Sequence, residues 1–280
     1  MKALRGLTIG FIGAGTMGHA LITGLIAQGV RPRTLLAADP NRAVRARLRA
    51  LGVRTTQENC LVACEADVIV LAVKPQEMAS VLDGIASCLS RRQLIVSIAA
   101  GVTLRYLHAR LRKSPIIRVM PNLPATVRKG FAAYTCGRSA TPRHRAVAHA
   151  IFSAVGEAVE LPERSLDAVT AVSGSGPAYV FFLTRIWEEA AVALGLPAGV
   201  AKRAVRQTLV GSIELLAGHQ LSPQEWIARV ASKKGTTEAA LRVLAKRRVG
   251  RHFAEALRAA ARRSRALSRT SGEEIDVHPR

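Results

Sequence analysis

The segment Leu7-Thr-Ile-Gly-Phe-Ile-Gly13-Ala-Gly-Thr-Met-Gly18 opens with a short apolar run and closes on glycines spaced G-x-G-x-x-G. The run over 7–12 has the length and character of a buried parallel strand. Beyond the glycines, Ala20, Leu21, Ile22, Leu25 and Ile26 recur at helical spacing. The glycines therefore stand at a strand-to-helix turn, the context in which this pattern signals a dinucleotide site and not merely a tight turn. Gly13 allows the turn, Gly15 lets a pyrophosphate approach the backbone, and Gly18 lets the helix pack closely on its strand. Free N–H groups near Thr16 and Met17 would face the phosphates.

Outward from this turn, strands and helices alternate. Strands are expected over 34–38, 67–73, 94–98 and 116–119, with a short one following Gly52-Val53. Helices are expected over 41–51, 59–65, 76–85 and 104–111, then strand 131–134, helix 142–155 and strand 157–161. Such alternation predicts an α/β, doubly wound, mostly parallel sheet of Rossmann type. Ligands of such sheets bind beyond the carboxyl ends of the strands. Lys74-Pro75, Ala100-Gly101 and Met120-Pro-Asn122 all fall there, on the same rim as the glycine turn. Asp39, ending the second strand, suits a ribose 2′-OH, whereas Arg42 suits a 2′-phosphate, so NAD and NADP both stay open. Asp39 also reads as a plain N-cap of the helix over 41–51.

Past Glu163 the strand signals cease. Helices are expected over 166–171, 177–194, 198–217, 223–230, 236–245 and 249–267, with a polar tail from Thr270 expected to fray. Two domains follow: 1–163, binding a dinucleotide, and 164–280, all-α, for dimerisation and substrate binding. The helix over 177–194 is apolar on most of its circumference, through Tyr179, Val180, Phe182, Leu183, Ile186, Trp187, Ala190, Ala191 and Leu194. A helix apolar nearly all round needs burial on nearly all sides. A helical domain this small achieves that best against a copy of itself, which predicts an intertwined homodimer, alone or within an assembly of dimers.

Gly235-Thr-Thr237 opens the helix over 236–245. Unpaired N–H groups and the positive end of a helix dipole make that position suited to a carboxylate, with the Ser232 and Thr237 hydroxyls as further donors. The plainer reading is an ordinary N-cap with basic neighbours.

Bulk composition narrows the class. The chain has 280 residues, 49% of them hydrophobic and 21% charged, as a globular protein does. The glycine turn begins so early that the opening strand belongs to the fold and not to a signal peptide. The longest apolar run, 178–196, carries Arg185, Glu188 and Glu189, so no membrane span is expected. Cys60, Cys64, Cys88 and Cys136 are too few and too irregular for a disulfide framework or a zinc site, and no metal is expected. A soluble, cytoplasmic protein in a reducing compartment is the expectation. Lys+Arg 41 against Asp+Glu 19 gives a net charge of +22. That balance invites a nucleic-acid partner, but the arginines are scattered and few aromatics accompany them. Solvated helix faces with salt-sensitive, non-specific adhesion to polyanions account for it.

Three groups of motifs together resemble pyrroline-5-carboxylate reductase. They are the glycine turn with Met17; Leu71-Ala-Val-Lys-Pro-Gln76 with Ser97-Ile-Ala-Ala-Gly101 and Arg118-Val-Met-Pro-Asn122; and Ser173-Gly-Ser-Gly-Pro-Ala-Tyr179 with Ser232-Lys-Lys-Gly-Thr-Thr237. The resemblance covers about 7–268 and implies a Rossmann domain followed by a helical dimerisation domain. It implies NAD(P)H-dependent reduction of the C=N bond of 1-pyrroline-5-carboxylate to L-proline. By this resemblance Gly13, Gly15, Thr16, Met17 and Gly18 hold pyrophosphate, and Asp39, Arg42 and Asn59 surround the adenosine end. Ala72, Lys74, Pro75, Ala99, Met120 and Asn122 line the nicotinamide half. Val230, Ser232, Gly235, Thr236 and Thr237 form the substrate loop, with the Thr237 hydroxyl hydrogen-bonding the ring nitrogen. NADP(H) is the expected cofactor, NAD(H) the alternative.

Three positions depart from the family's usual pattern. Lys234 stands where a glycine is usual, Thr16 where Asn is common, and Arg185 where an acidic residue is common. If the backbone at 234 has positive φ, a lysine there costs about 1–2 kcal/mol. A related cyclic-imine reductase and a catalytically weak NAD(P)-binding regulator are the alternative readings. A β-hydroxyacid dehydrogenase is disfavoured, because Val180, Phe181 and Thr184 lie where that family carries a lysine.

Overall fold

The computed structural model describes residues 1–112 and 114–276, with side chains through Arg269. By packing, the chain forms two compact units, one of Met1–Ser175 with Ala260–Arg280 and one of Gly176–Ala259.

In the first unit, β1 (Ile9–Ile12), β2 (Leu35–Ala38), β3 (Arg54–Thr56) and β4 (Val68–Leu71) are followed by β5 (Leu94–Ser97), β6 (Ile116–Met120), β7 (Gly130–Cys136) and β8 (Gly156–Glu160). They make one eight-stranded sheet in the order β3-β2-β1-β4-β5-β6-β7-β8. Every neighbouring pair is parallel except β6 with β7. Helices α1 (Thr16–Ala27), α2 (Arg42–Ala50), α3 (Asn59–Glu65), α4 (Met78–Ile85), α5 (Leu104–Arg110) and α6 (Pro142–Ser153) supply the crossovers. The expected doubly wound, mostly parallel sheet is what forms.

Alternation along each strand explains the continuous apolar runs. Phe11, Val68 and Val70 join one core with Leu21, Leu25 and Phe152, while Ile12, Ile69 and Leu71 join another with Leu82 and Leu107. Successive side chains point to opposite faces, and helices bury both. Phe11 and Phe152 are fully buried, so truncating either to Ala would cost about 3–5 kcal/mol. Arg118 on β6, itself buried, donates to Glu163 at 2.9 Å, and the same carboxylate oxygen accepts the Leu104 N–H at 2.8 Å, tying α5 to the segment after β8. Helix α7 (Leu166–Val169) then passes into a π-turn at Thr170–Gly174.

Two of the cysteines meet in space. Cys60 on α3 and Cys88 beyond α4 lie side by side, their Cα atoms 5.8 Å apart, because α3 packs against the end of α4. Cys64 and Cys136 are free thiols. Spacing of 28 residues in sequence could not disclose a pairing made by helix packing.

The second unit contains α8 (Gly176–Ala193), α9 (Ala198–Gly218), α10 (Pro223–Val230), α11 (Thr236–Lys246) and the first part of α12 (Val249–Asp276). Its buried apolar cluster is Ala191, Ala201 and Val205, with Leu209 packed against them. Phe181 and Phe182 are 61% and 55% exposed and Trp187 45% exposed. The stretch Glu163–Ala193 meets a membrane-span criterion of length and composition alone, a criterion that helices packed inside a protein core meet as well. Helix α12 is continuous through Asp276, past Thr270 where fraying was expected; residues 277–280 lie outside the described residues.

Candidate active site

The glycine turn joins β1 to α1, at the point where the sheet order reverses between β1 and β4. Such a switch point leaves a crevice at the carboxyl ends of the strands. Gly13 has φ +86°, and its N–H donates to the Ala38 carbonyl at 2.8 Å. A Cβ there would meet the Ala72 carbonyl oxygen at 2.8 Å. A Cβ on Gly18 would stand 2.6 Å from the Gly13 carbonyl oxygen, so this position is closed by the turn itself. Gly15 differs: a Cβ would meet nothing within 4 Å. It is the N-cap of α1 and has no side chain to occupy the first-turn N–H groups of Thr16 and Met17. A helix N-terminus open in this way is built to receive an anion. The space that a Cβ at Gly15 would fill is open.

Asp39 follows β2 and is 9% exposed. Its Oδ2 accepts the Ala14 N–H at 2.9 Å and its Oδ1 the Asn41 N–H at 2.8 Å. The N-cap of α2 is Asn41, whose Oδ1 accepts from Ala43 and Val44, and not Asp39 as the plainer sequence reading had it. Arg45, buried one turn into α2, donates from Nη1 to the carbonyls of Asp39 at 2.6 Å and Pro40 at 2.8 Å. Sequence reasoning missed this residue, and an arginine among scattered arginines gives no signal. Arg42, the first residue of α2, is exposed, and Asn59 opens α3 beyond the end of β3.

Further along the rim, Ala72 follows β4 and donates its N–H to the Ile12 carbonyl at 2.8 Å. Lys74 and Pro75 are exposed at the start of a 3-10 turn over Pro75–Glu77, and Ala99 is buried just after β5. Met120 ends β6, and its methyl fills the space where a Gly174 Cβ would stand. The Asn122 side chain is engaged at both ends: Nδ2 donates to Ser173 Oγ at 3.0 Å and Oδ1 accepts the Phe131 N–H at 2.8 Å. One amide thus pins the loop after β6 to the start of β7 and to the π-turn. π-Turns recur at functional sites.

In the second unit, Val230 is the exposed last residue of α10, and Ser232 to Thr237 form the turn into α11. The start of α10 is fixed by a reciprocal Ser222–Glu225 capping box. The Ser222 hydroxyl and amide hold the Glu225 carboxyl below the usual carboxylate range. Gly235 is the N-cap of α11 and provides no side-chain acceptor, while its own N–H donates to the Ser232 carbonyl at 3.0 Å. Thr236 and Thr237 are the first two residues of the helix. Lys234 has φ +59°, in the left-handed region, which is the conformation its replacement of glycine put in question. Among the described residues no cluster suited to a metal ion occurs.

Sheet order, switch point and glycine turn define a Rossmann-type, NAD(P)-dependent oxidoreductase with an appended helical unit. Residues 163–267 match the family model described as "Pyrroline-5-carboxylate reductase dimerisation", and residues 8–101 match "NADP oxidoreductase coenzyme F420-dependent". The chain belongs to the pyrroline-5-carboxylate reductase family. The reductase of Pseudomonas aeruginosa is 40% identical over 268 residues, which are 95% of this chain and 98% of that protein. A pyrroline-5-carboxylate reductase structure from Coxiella burnetii superposes with TM-score 0.89 at 34% identity, covering 94% of this chain and 99% of that one. The Plasmodium falciparum enzyme, solved with NADP bound, gives TM-score 0.84 at 29% identity, covering 94% and 99%.

Proposed function

We propose that this chain is a cytoplasmic pyrroline-5-carboxylate reductase. It uses NADPH to convert 1-pyrroline-5-carboxylate to L-proline and closes proline biosynthesis. The observation that carries this reading is the uncapped start of α11, with Thr236 and Thr237 in its first turn, on a chain whose Gly15 leaves room for a pyrophosphate. Bound NADPH supplies a hydride to the ring carbon double-bonded to nitrogen, and a proton completes the secondary amine. The chain's own work is positioning. Gly13, Gly15, Thr16, Met17 and Gly18 hold pyrophosphate; Arg42 and Asn59 take the adenosine end beside Asp39. Ala72, Lys74, Pro75, Ala99, Met120 and Asn122 line the nicotinamide half. The N–H groups of Thr236 and Thr237, with the Ser232 hydroxyl, receive the substrate carboxylate alongside Val230 and Gly235, and the Thr237 hydroxyl hydrogen-bonds the ring nitrogen.

NADPH is favoured over NADH because each Asp39 carboxylate oxygen already accepts a backbone N–H, while Arg42 is exposed and free to meet a 2′-phosphate. A homodimer follows from the second unit. Its exposed α8 residues Phe181, Phe182, Ile186 and Trp187 exceed what a surface helix carries, and a second copy would bury them. The same burial accounts for the membrane-like composition of Glu163–Ala193. The family boundary at residue 163 is the place where we divide dinucleotide-binding from dimerisation and substrate-binding segments.

Steady-state oxidation of NADPH and NADH with 1-pyrroline-5-carboxylate, and with its six-membered analogue, tests the proposal. NADPH oxidation that depends on the five-membered imine and yields proline is expected. Cofactor binding without turnover would mark a regulator, and preference for the larger ring a different imine reductase.

A further inference from the structure

Lys234 occupies a left-handed backbone position, φ +59°, immediately before the Gly235 N-cap. For any residue with a Cβ that conformation is disfavoured and persists only where the surroundings enforce it. The enforcing contact is visible. A carboxylate oxygen of Glu238, Oε2, accepts the Lys234 backbone N–H in a short hydrogen bond. Glu238 is the third residue of α11, the place from which a capping glutamate normally reaches back to the N-cap amide. Here the N-cap amide of Gly235 is already given to the Ser232 carbonyl, so the carboxylate reaches one residue further. Its other oxygen, Oε1, accepts from Arg242 Nη2 at 3.0 Å, one helical turn on. The negative charge is therefore countered from within the helix, at a start that is otherwise electropositive.

We infer that Glu238 is a positioning residue for the reaction. By holding Lys234 left-handed it fixes the Ser232–Gly235 turn, and with it the Thr236 and Thr237 amides that receive the substrate carboxylate. The inference rests on the substrate-loop reading given above. It also accounts for a lysine, and not a glycine, at a left-handed position: the latch supplies the conformation that glycine adopts unaided.

The experiment is a set of four variants assayed with 1-pyrroline-5-carboxylate and NADPH, with thermal melting alongside. Glu238→Ala is expected to raise KM for the imine by about tenfold, the size of one charge-assisted hydrogen bond, with kcat, KM for NADPH and Tm nearly unchanged. Glu238→Gln, which keeps an acceptor oxygen, is expected to restore KM. Adding Lys234→Gly to Glu238→Ala is expected to recover most of the loss, because glycine needs no latch. An unchanged imine KM in Glu238→Ala, or a double variant no better than Glu238→Ala alone, overturns the inference. So does a parallel fall in kcat and Tm. Thr237→Ala separates the two levels. If it moves the imine kinetics while Glu238→Ala does not, only the latch fails; if neither does, the substrate-loop reading fails with it.

Discussion

Asp39 Oδ2 accepts the backbone N–H of Ala14 at 2.9 Å, joining the end of β2 to the interior of a glycine turn 25 residues earlier. A buried carboxylate set between two amides works as a latch on the shape of that turn. Asp39→Ala leaves both amides without their acceptor, at about 1–3 kcal/mol each. Thermal melting should show a lowered Tm, and fluorescence titration should show NADPH and NADH weakened together. Loss of NADH affinity alone would mean that the carboxylate reads the ribose instead.

The three glycines should separate on substitution. At Gly15 a Cβ meets nothing within 4 Å, so Gly15→Val should fold with a near-normal Tm while cofactor binding is lost from the titration. At Gly18 a Cβ would press on the Gly13 carbonyl, so Gly18→Ala should lower stability by about 1–3 kcal/mol through overpacking. Denaturant melts with a parallel NADPH titration check both. Tight NADPH binding by Gly15→Val would remove the pyrophosphate assignment.

Thr237, second residue of α11, bears the hydroxyl assigned to the substrate nitrogen. Thr237→Ala should lower kcat by about tenfold or more, with the NADPH dissociation constant nearly intact. Thr237→Ser, keeping the hydroxyl, should retain most of the rate. Stopped-flow and equilibrium titration distinguish these, and an equal loss of cofactor affinity would show the loop to be misassigned.

On α8, Phe182 and Trp187 are half-exposed. Replacing both with Glu should prevent the proposed homodimer, since each aromatic buried there would contribute on the order of 1.5–3 kcal/mol. Sedimentation velocity of the detergent-free protein should give a dimer for the parent chain and a smaller or aggregated species for the variant. An unchanged dimer would place the interface elsewhere.

Much of the fold could be read from the chain because its signals are local. The run over 67–73 is apolar on both faces and became β4 (Val68–Leu71), and Gly13 takes the positive φ that a tight turn after β1 requires. Asn41, not Asp39, caps α2 because the helix begins one residue later than its pattern suggested, freeing the Asp39 carboxylate to turn back to Ala14. What the sequence withheld was long-range pairing. Asn122 meets Ser173 across 51 residues, Cys60 meets Cys88 across 28, and Arg45 turns inward among many arginines that do not. No periodicity records such contacts, since they exist only after helices have packed on the sheet. The turn before α11 was half legible: Gly235-Thr-Thr announced a helix start, whereas Glu238 reaching back to Lys234 depends on a left-handed backbone that no local pattern records.

In the proposed reaction a hydride is delivered to the carbon of a C=N bond in a small anionic ring. Turnover of 1-pyrroline-5-carboxylate with NADPH deuterated at nicotinamide C4, followed by mass spectrometry and NMR of the product, tests it directly. The account requires L-proline carrying a single deuterium on the ring carbon beside nitrogen that lacks the carboxylate. Unlabelled product, label on the carboxylate-bearing carbon, or no proline at all would contradict it.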